Sequence, residues 1–129
     1  MKAAIIGSRE LIVNDLGKYL PQGVDCIVSG GALGVDSSAA RFAKESGIRL
    51  LEFLPDYEKW GRRAPIIRNL DIIAAADIVL AFWNGSSKGT EFVINQCLKQ
   101  SKPIIVYTPD PEGKTDFKIL PLDQQLSFE

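Results

Sequence analysis

The chain has 129 residues, of which 46% are hydrophobic and 24% charged, and its formal net charge is −1. These values are ordinary for a globular domain that can bury a core. The absence of histidine and of any Cys-x-x-Cys pair argues against a zinc or other transition-metal site. The lack of a basic block removes electrostatic support for non-specific nucleic-acid binding.

Two features of the chain bear on compartment and chemistry. Cys26 and Cys97 lie within apolar patterns far apart in the sequence, and we expect both to be buried free thiols. The apolar run that follows Lys2 is too short for a signal peptide, and Asp77 interrupts the longest apolar stretch. We therefore expect a cytoplasmic protein with no membrane partner, no metal and no bound cofactor.

Short apolar runs predict the strands. They are unbroken rather than alternating, which is typical of strands covered on both faces, as in a parallel sheet. The runs are Ala3–Ile6, Val24–Val28, Leu50–Leu54, Ile78–Phe82 and Ile104–Tyr107.

Between these runs, apolar residues recur with helical spacing and predict four helices. Pro21, Gly47 and Pro103 supply the signals that end three of them. The four apolar faces consist of Ile12, Leu16, Tyr19 and Leu20; of Val35, Ala39, Phe42 and Ala43; of Ile66, Leu70, Ile73 and Ala74; and of Ile94, Cys97 and Leu98.

This alternation of strands and helices predicts an α/β fold. We expect one domain over residues 1–129, a small doubly wound, Rossmann-like parallel sheet of about five strands with helices on both faces. The expected strand order is 3-2-1-4-5. Within the tail, residues 108–129, the segment Pro109–Gly113 predicts turns, and Phe117–Leu122 could dock as an edge or contact a partner.

The segment Ser29–Asp36 predicts an anion-binding turn. Its glycines follow an apolar strand and lead into a helix, so the backbone can turn sharply and a ligand can approach closely. Unpaired amides and the positive end of the helix dipole at such a turn favour phosphate. A second turn of this kind, Asn84–Glu91, follows the fourth strand.

Because the carboxyl ends of parallel strands meet at one edge, these loops should form a single crevice. Lys88 and Arg68 would neutralise a phosphate, and Asp36 would accept a hydrogen bond from a ribose hydroxyl or orient the loop. The predicted ligand-binding residues are Gly7, Ser8, Arg9, Ser29, Gly30, Gly31, Gly34, Asp36, Arg68, Asn69, Ser87, Lys88, Gly89 and Thr90.

Each of these features also has a purely structural interpretation. Gly30 and Gly31 could serve only a tight turn, and Ser87 could serve only as a helix cap. Arg68 could form a surface ion pair, and a glutamate at position 91 is favoured by the helix dipole without any functional role.

Three motifs, in this order, resemble the SLOG superfamily, which unites DprA/Smf-like and LOG-like proteins, and in particular its small stand-alone bacterial members of the YspA kind. The stretch Ser29-Gly30-x-Ala32-x-Gly34-x-Asp36-x-x-Ala39 resembles the DprA-type turn. Arg68-Asn69 followed by Ile72-Ile73-Ala74 resembles the R-N-x-I-I-A segment, with one extra residue between. Ser87-Lys88-Gly89-Thr90 resembles the G-G-x-G-T turn of LOG enzymes.

The resemblance covers roughly residues 1–107 and implies a nucleotide-like ligand and a homo-oligomer. It also implies a second hypothesis, hydrolysis of the N-glycosidic bond of a nucleoside 5′-monophosphate, with Arg68 and Glu91 as catalytic residues. LOG enzymes carry their glutamate three positions after the threonine, where this chain has Val93. The two-residue displacement of Glu91 rotates its side chain by roughly 200° about the helix axis.

The leading hypothesis is therefore a sensor or accessory domain that binds a nucleotide or a nucleotide derivative. A LOG-like phosphoribohydrolase is the alternative. DprA-like binding of single-stranded DNA is a third hypothesis, and nucleic acid is the least expected partner. Ala40 stands where DprA-like proteins usually carry histidine.

Overall fold

A computed structural model describes residues 1–32, 34–111 and 116–121. Its centre is a mixed sheet of six strands in the order β3-β2-β1-β4-β5-β6. All neighbouring strands are parallel except β5 and β6, which are antiparallel. The strands are β1 (Lys2–Gly7), β2 (Cys26–Ser29), β3 (Arg49–Glu52), β4 (Ile78–Phe82), β5 (Ile104–Pro109) and β6 (Phe117–Leu120).

The helices lie on both faces of this sheet. In chain order they are α1 (Val35–Ser46), the short α2 (Tyr57–Trp60), α3 (Ala64–Ala75) and α4 (Lys88–Gln100). Single 3₁₀ turns occur at Leu16–Tyr19 and Gly61–Arg63. The predicted α/β class and the order of the first five strands are confirmed, and the sixth, antiparallel strand is an addition to the prediction.

Alternate residues of each central strand face opposite cores. In β1, Ala4 and Ile6 pack with Ile73 of α3 and Ile94 of α4, whereas Ile5 packs on the other face against α1. Because helices cover both faces of these strands, the sequences of β1 and β4 contain unbroken apolar runs. The rule that predicted these strands therefore works where helices lie on both sides.

The third strand departs from that rule. All four residues of β3 are exposed, and Leu50 and Leu51 retain 38% and 37% of their accessible surface. Since β3 forms an edge of the sheet, it pairs only with β2. The prediction of a strand was correct, but the prediction that it is covered on both faces was wrong.

The first predicted helix is also wrong. Between β1 and β2 the chain forms only the 3₁₀ turn at Leu16–Tyr19, and Ile12 is 61% exposed. The N–H of Val13 donates to the Ser38 hydroxyl at 3.0 Å instead of to a helical carbonyl. Side-chain hydrogen bonding from a neighbouring element thus replaces the local helical pattern.

The remaining helices follow their predicted spacing, with one change of face. Gly47 ends α1 in the left-handed conformation, at φ 68°, as predicted. In α3 the predicted apolar face is largely wrong. Ile73 is buried as predicted and Leu70 is half-buried, but Ile66 is 46% exposed and Ala74 is also exposed, whereas Ile72, outside the predicted face, is buried.

The tail contributes to the sheet. Within the predicted segment, Phe117–Leu120 forms β6, which pairs with β5 so that Tyr107 lies opposite Ile119. Residues 112–115 and 122–129, which hold part of the predicted turn and the end of the predicted edge segment, lie outside the described residues. Among the described residues, no helix has both the length and the apolar character that a membrane span requires.

Candidate functional site

A cavity of about 590 Å³ opens at the carboxyl ends of β1, β2 and β4. It lies beside the switch point between β1 and β4, where open α/β sheets bind their ligands, and its size is typical of small-molecule sites. Its walls come from the loops after these strands and from the amino-terminal parts of α1, α3 and α4. The lining residues are Ile6, Gly7, Ser8, Arg9, Glu10, Gly30, Ala32, Asp36, Pro65, Arg68, Asn69, Ile72, Asn84, Ser86, Ser87, Gly89, Thr90 and Val93.

The loop after β1 is tied to β4 through Ser8. The Ser8 N–H donates to the Phe82 carbonyl at 3.0 Å, and its buried hydroxyl accepts from the Asn84 N–H at 3.2 Å. Gly7 packs so closely that a Cβ would lie 2.5 Å from the Phe82 carbonyl oxygen. Ser8 is thus held by the fold, and it fixes the two loops that flank the cavity.

Arg68 connects α3 to the glycine turn after β2. Its Nη1 donates to the Gly30 carbonyl at 2.7 Å, and its Nε donates to Asn69 Oδ1 at 2.9 Å. The side chain is half-buried at the cavity wall. A guanidinium has five N–H donors, so Arg68 keeps donors for an anion while it is held in place. The surface ion pair considered as an alternative is absent from the ion pairs of the described residues.

Asp36 is a carboxylate enclosed by the site. It is 8% exposed, and its Oδ2 accepts from the Ala32 N–H at 3.0 Å. Burial raises the pKa of Asp36 above its ordinary value, and the bond from Ala32 and the positive charge of Arg68 offset part of that rise. One carboxylate oxygen beside a cavity is suited to accept a hydrogen bond from a hydroxyl.

The first turn of α4 borders the cavity with Gly89 and Thr90. The helical bonding begins where the Glu91 N–H donates to the Ser87 carbonyl at 3.1 Å, so the amides of Gly89 and Thr90 precede it and have no intrahelical acceptor. The Ser87 and Thr90 hydroxyls lie 3.2 Å apart. Unpaired amides at the positive end of a helix dipole form an anion-binding arrangement.

Asn84 holds the loop between β4 and α4 through side-chain hydrogen bonds. Its Oδ1 accepts from the N–H groups of Ser86 and Ser87, both at 2.9 Å, and its Nδ2 donates to the Glu10 carboxylate. Sequence reasoning missed both Asn84 and Glu10 as site residues. The signal for Asn84 was present, because asparagine at the start of a Gly/Ser turn commonly bonds the backbone two residues on. Nothing local marks Glu10.

Several predicted site residues lie outside this lining. Lys88 is exposed, Ser29 is buried beneath the turn, and Gly31 packs against Leu54. Gly34 lies under Arg9 and lines a neighbouring depression instead. Glu91, the candidate catalytic carboxylate, is also absent from the lining, whereas Val93 belongs to it. The other predicted residues are brought together.

The cavity has balanced formal charges. Its lining holds the guanidiniums of Arg9 and Arg68 and the carboxylates of Glu10 and Asp36. Attraction for an anion would therefore come from directed amides and one anchored guanidinium rather than from a net positive field. Within the described parts of the chain, no three His, Cys, Asp or Glu side chains converge to form a metal-ion site.

Comparison with known proteins places the chain in a family. A family model described as "YspA, cpYpsA-related SLOG family" matches residues 3–60, which run from β1 through the glycine turn to α2. The chain belongs to the SLOG superfamily. This SLOG chain is also 34% identical to the "Gene 61 protein" of Mycobacterium phage D29 over 91 residues, which span 66% of this chain and 73% of the phage protein. No solved structure matches it significantly.

Membership in the SLOG superfamily fits a nucleotide-related ligand or a LOG-like role. The name of the phage relative describes no activity. The matched residues include the loops from β1 and β2 but end before α3 and α4, which provide Arg68 and the helix amides. Function must therefore be inferred from the geometry of the cavity.

Proposed function

We propose that this SLOG protein binds a nucleotide or a nucleotide-derived small ligand in the cavity and acts as a sensor or accessory domain. The observation that carries the proposal is that Gly89 and Thr90, whose amides have no intrahelical acceptor, line the same cavity as the anchored guanidinium of Arg68. Directed amides and a planar guanidinium both match the geometry of phosphate oxygens.

The cavity offers a place for each part of such a ligand. The phosphate would bind at the first turn of α4, and Asp36 would accept a hydrogen bond from a ribose hydroxyl. Apolar surface from Ile72, Val93 and Pro65 would contact the sugar or the base. A mixture of apolar wall and few directed polar groups is typical of small-molecule sites.

Binding is favoured over hydrolysis by the position of one side chain. The cavity wall at the first turns of α4 carries Val93, and Glu91 is not among its lining residues. A glutamate must reach the reacting atoms to act as an acid or base. The LOG-like mechanism through Glu91 therefore has no geometric support, and the proposal is limited to binding.

Isothermal titration calorimetry tests the proposal. Nucleoside mono-, di- and cyclic phosphates and ADP-ribose derivatives are titrated into the wild type, Arg68→Lys and Arg49→Ala. We expect binding by the wild type, a loss of at least about tenfold for Arg68→Lys, because lysine lacks the planar fork, and no change for Arg49→Ala. Arg49 is an exposed arginine at the amino end of β3, remote from the cavity.

Two further measurements separate the alternatives. Chromatography of each nucleotide after incubation with the protein should show no free base. If free base is released by the wild type and not by Glu91→Gln, LOG-like hydrolysis is the function instead of binding alone. A mobility shift of single-stranded DNA that weakens with salt would favour the DprA-like hypothesis. Absence of a binding heat for every nucleotide tried would contradict the proposal.

A further inference from the structure

A second depression adjoins the cavity on the outer side of α1. Its volume is about 230 Å³, and its walls include Arg9, Gly34, Ser37 and Arg41. It shares Arg9 and Glu10 with the larger cavity, so these two residues border both spaces.

This depression is held open by contacts within the protein. The Ser38 hydroxyl accepts from the Val13 N–H at 3.0 Å and donates to the Gly34 carbonyl at 3.3 Å, which fastens the loop after β1 to α1. Beneath the loop, the backbone of Arg9 lies so close to Gly34 that a Cβ there would stand 2.1 Å from the Arg9 carbonyl oxygen. The floor is therefore built of packed backbone and does not depend on a mobile side chain.

The arginines at this depression form no direct ion pair within the described part of the chain, although the charge of Arg9 also acts on the Asp36 carboxylate. Among the residues that the structure describes, neither Arg9 nor Arg41 takes part in an ion pair or a side-chain hydrogen bond. The nearby Glu10 carboxylate accepts from Asn84 on the side of the larger cavity. The Ser37 hydroxyl already donates to the Ala32 carbonyl at 3.2 Å, so the guanidiniums are the donors that remain for a ligand.

We infer that the depression is a second anion subsite, which binds a second phosphate group of the same nucleotide ligand. This inference rests on the proposed function. The first phosphate lies at the amides of α4, the ligand passes Arg9, and the second phosphate binds Arg41. A guanidinium fork can bond two phosphate oxygens at once. The ligand class is a nucleotide with two phosphate groups, linked as a diphosphate or carried on separate hydroxyls.

Calorimetry with matched probes tests this inference. Adenosine and guanosine are each offered as the 5′-monophosphate, the 5′-diphosphate and the 3′,5′-bisphosphate, at constant ionic strength. We expect at least one doubly phosphorylated probe to bind the wild type roughly tenfold more tightly than its monophosphate. A gain of about this size corresponds to one additional hydrogen bond to a charged group. Arg41→Ala should remove that gain and leave the affinity for the monophosphate unchanged.

Controls separate this inference from the proposed function. Arg49→Ala removes an exposed arginine elsewhere and should keep the gain, and Arg41→Lys should keep only part of it. Equal affinity of mono- and diphosphorylated probes, or equal weakening of both by Arg41→Ala, overturns the second subsite and leaves nucleotide binding intact. Failure of every nucleotide to bind overturns both.

Discussion

At the scale of single residues, glycines near the site are required for different reasons. Gly34 combines a positive φ of 73° with a close contact to the Arg9 backbone, where a Cβ would lie 2.1 Å from the carbonyl oxygen. Gly47 has a similar φ of 68° at the end of α1, but a Cβ there would meet no atom within 4 Å. A side chain at Gly47 would meet only the cost of the left-handed backbone, whereas a side chain at Gly34 would also clash with neighbouring atoms.

We predict that Gly34→Ala destabilises the protein much more than Gly47→Ala. The cost at Gly47 should be about 1 kcal/mol, from the left-handed conformation alone. The cost at Gly34 should be on the order of 3 kcal/mol, because rigid backbone must also move. Urea unfolding of both variants measures the difference, and equal midpoints would show that the contact with Arg9 relaxes freely.

A second residue-scale property concerns Asp36. Burial raises its pKa, so the folded protein holds this proton at pH values where the unfolded chain has lost it. The folded state therefore loses stability as the pH rises from the ordinary aspartate range through the raised pKa. Above the ordinary aspartate range, the burial of Asp36 therefore costs stability, which a ligand hydroxyl could partly restore.

We predict that Asp36→Asn raises the melting temperature at pH 7 and has no such effect below about pH 3, where both states are protonated. The asparagine carbonyl can still accept from the Ala32 N–H. Thermal melts of ligand-free protein across pH measure this effect, with Asp56→Asn on the exposed α2 cap as the control. Destabilisation by Asp36→Asn at pH 7 would mean that neighbouring groups stabilise the ionised carboxylate by more than its burial costs.

At the scale of elements, Tyr19 joins three parts of the molecule. It ends the 3₁₀ turn before β2, and its hydroxyl accepts from the Phe117 N–H of β6 at 3.1 Å. Its ring makes edge contacts with Phe82 and Tyr107, with centroids 5.5 and 5.0 Å away. The turn thus holds the antiparallel edge strand against the rest of the sheet.

We predict that Tyr19→Phe loosens β6 selectively. The ring packing stays, but the Phe117 N–H loses its acceptor, at a cost of about 1 kcal/mol. Hydrogen exchange should become faster for the amides of β6 and remain unchanged for β1 and β4. Tyr57→Phe removes an exposed hydroxyl of α2 and serves as the control. Uniform acceleration across all strands would indicate global destabilisation instead.

At the scale of the whole molecule, the sheet separates two cores. One core lies between the sheet and helices α3 and α4. The other lies between the sheet and α1 together with the 3₁₀ turn Leu16–Tyr19. Both cysteines are free and buried, and Cys97 lies at 0% exposure in the first core. Burial raises the pKa of Cys97 to about 11, so its thiol stays protonated at ordinary pH.

We predict that neither thiol reacts with Ellman's reagent at pH 8 in the native protein, and that both react in denaturant. The rate of Cys97 labelling should increase with urea concentration as steeply as global unfolding does, because exposure of Cys97 requires α4 to leave the sheet. Rapid labelling of Cys97 without denaturant would show that α4 opens locally. The labelled residue is identified by peptide mass.

The sequence was most informative where structure follows from short-range pattern. Unbroken apolar runs identified β1 and β4, and helical spacing with Gly47 located α1 and its end. Those signals depend only on neighbouring residues and on burial. The glycine turns likewise marked the loops that converge on the cavity, because the parallel topology brings strand ends together.

Prediction failed where distant contacts override local preference. The 3₁₀ turn at Leu16–Tyr19 replaces a predicted helix because the preceding loop bonds Ser38, and the edge position of β3 leaves its residues exposed. Which polar groups face the cavity was also undetermined. Asn84 and Glu10 meet across a separation of 74 residues, which no local pattern encodes.

By itself, then, the sequence determined the class of fold, the order of its first five strands and the edge of the sheet that carries the glycine turns, since these depend on periodicity and on the connection rules of parallel sheets. Only the tertiary structure decided that Val93 rather than Glu91 lines the cavity, that Arg68 is anchored to Gly30, and that Lys88 is not part of the cavity wall. The rotation of each helix about its axis is set by packing against the sheet, and a side chain's direction follows from that rotation.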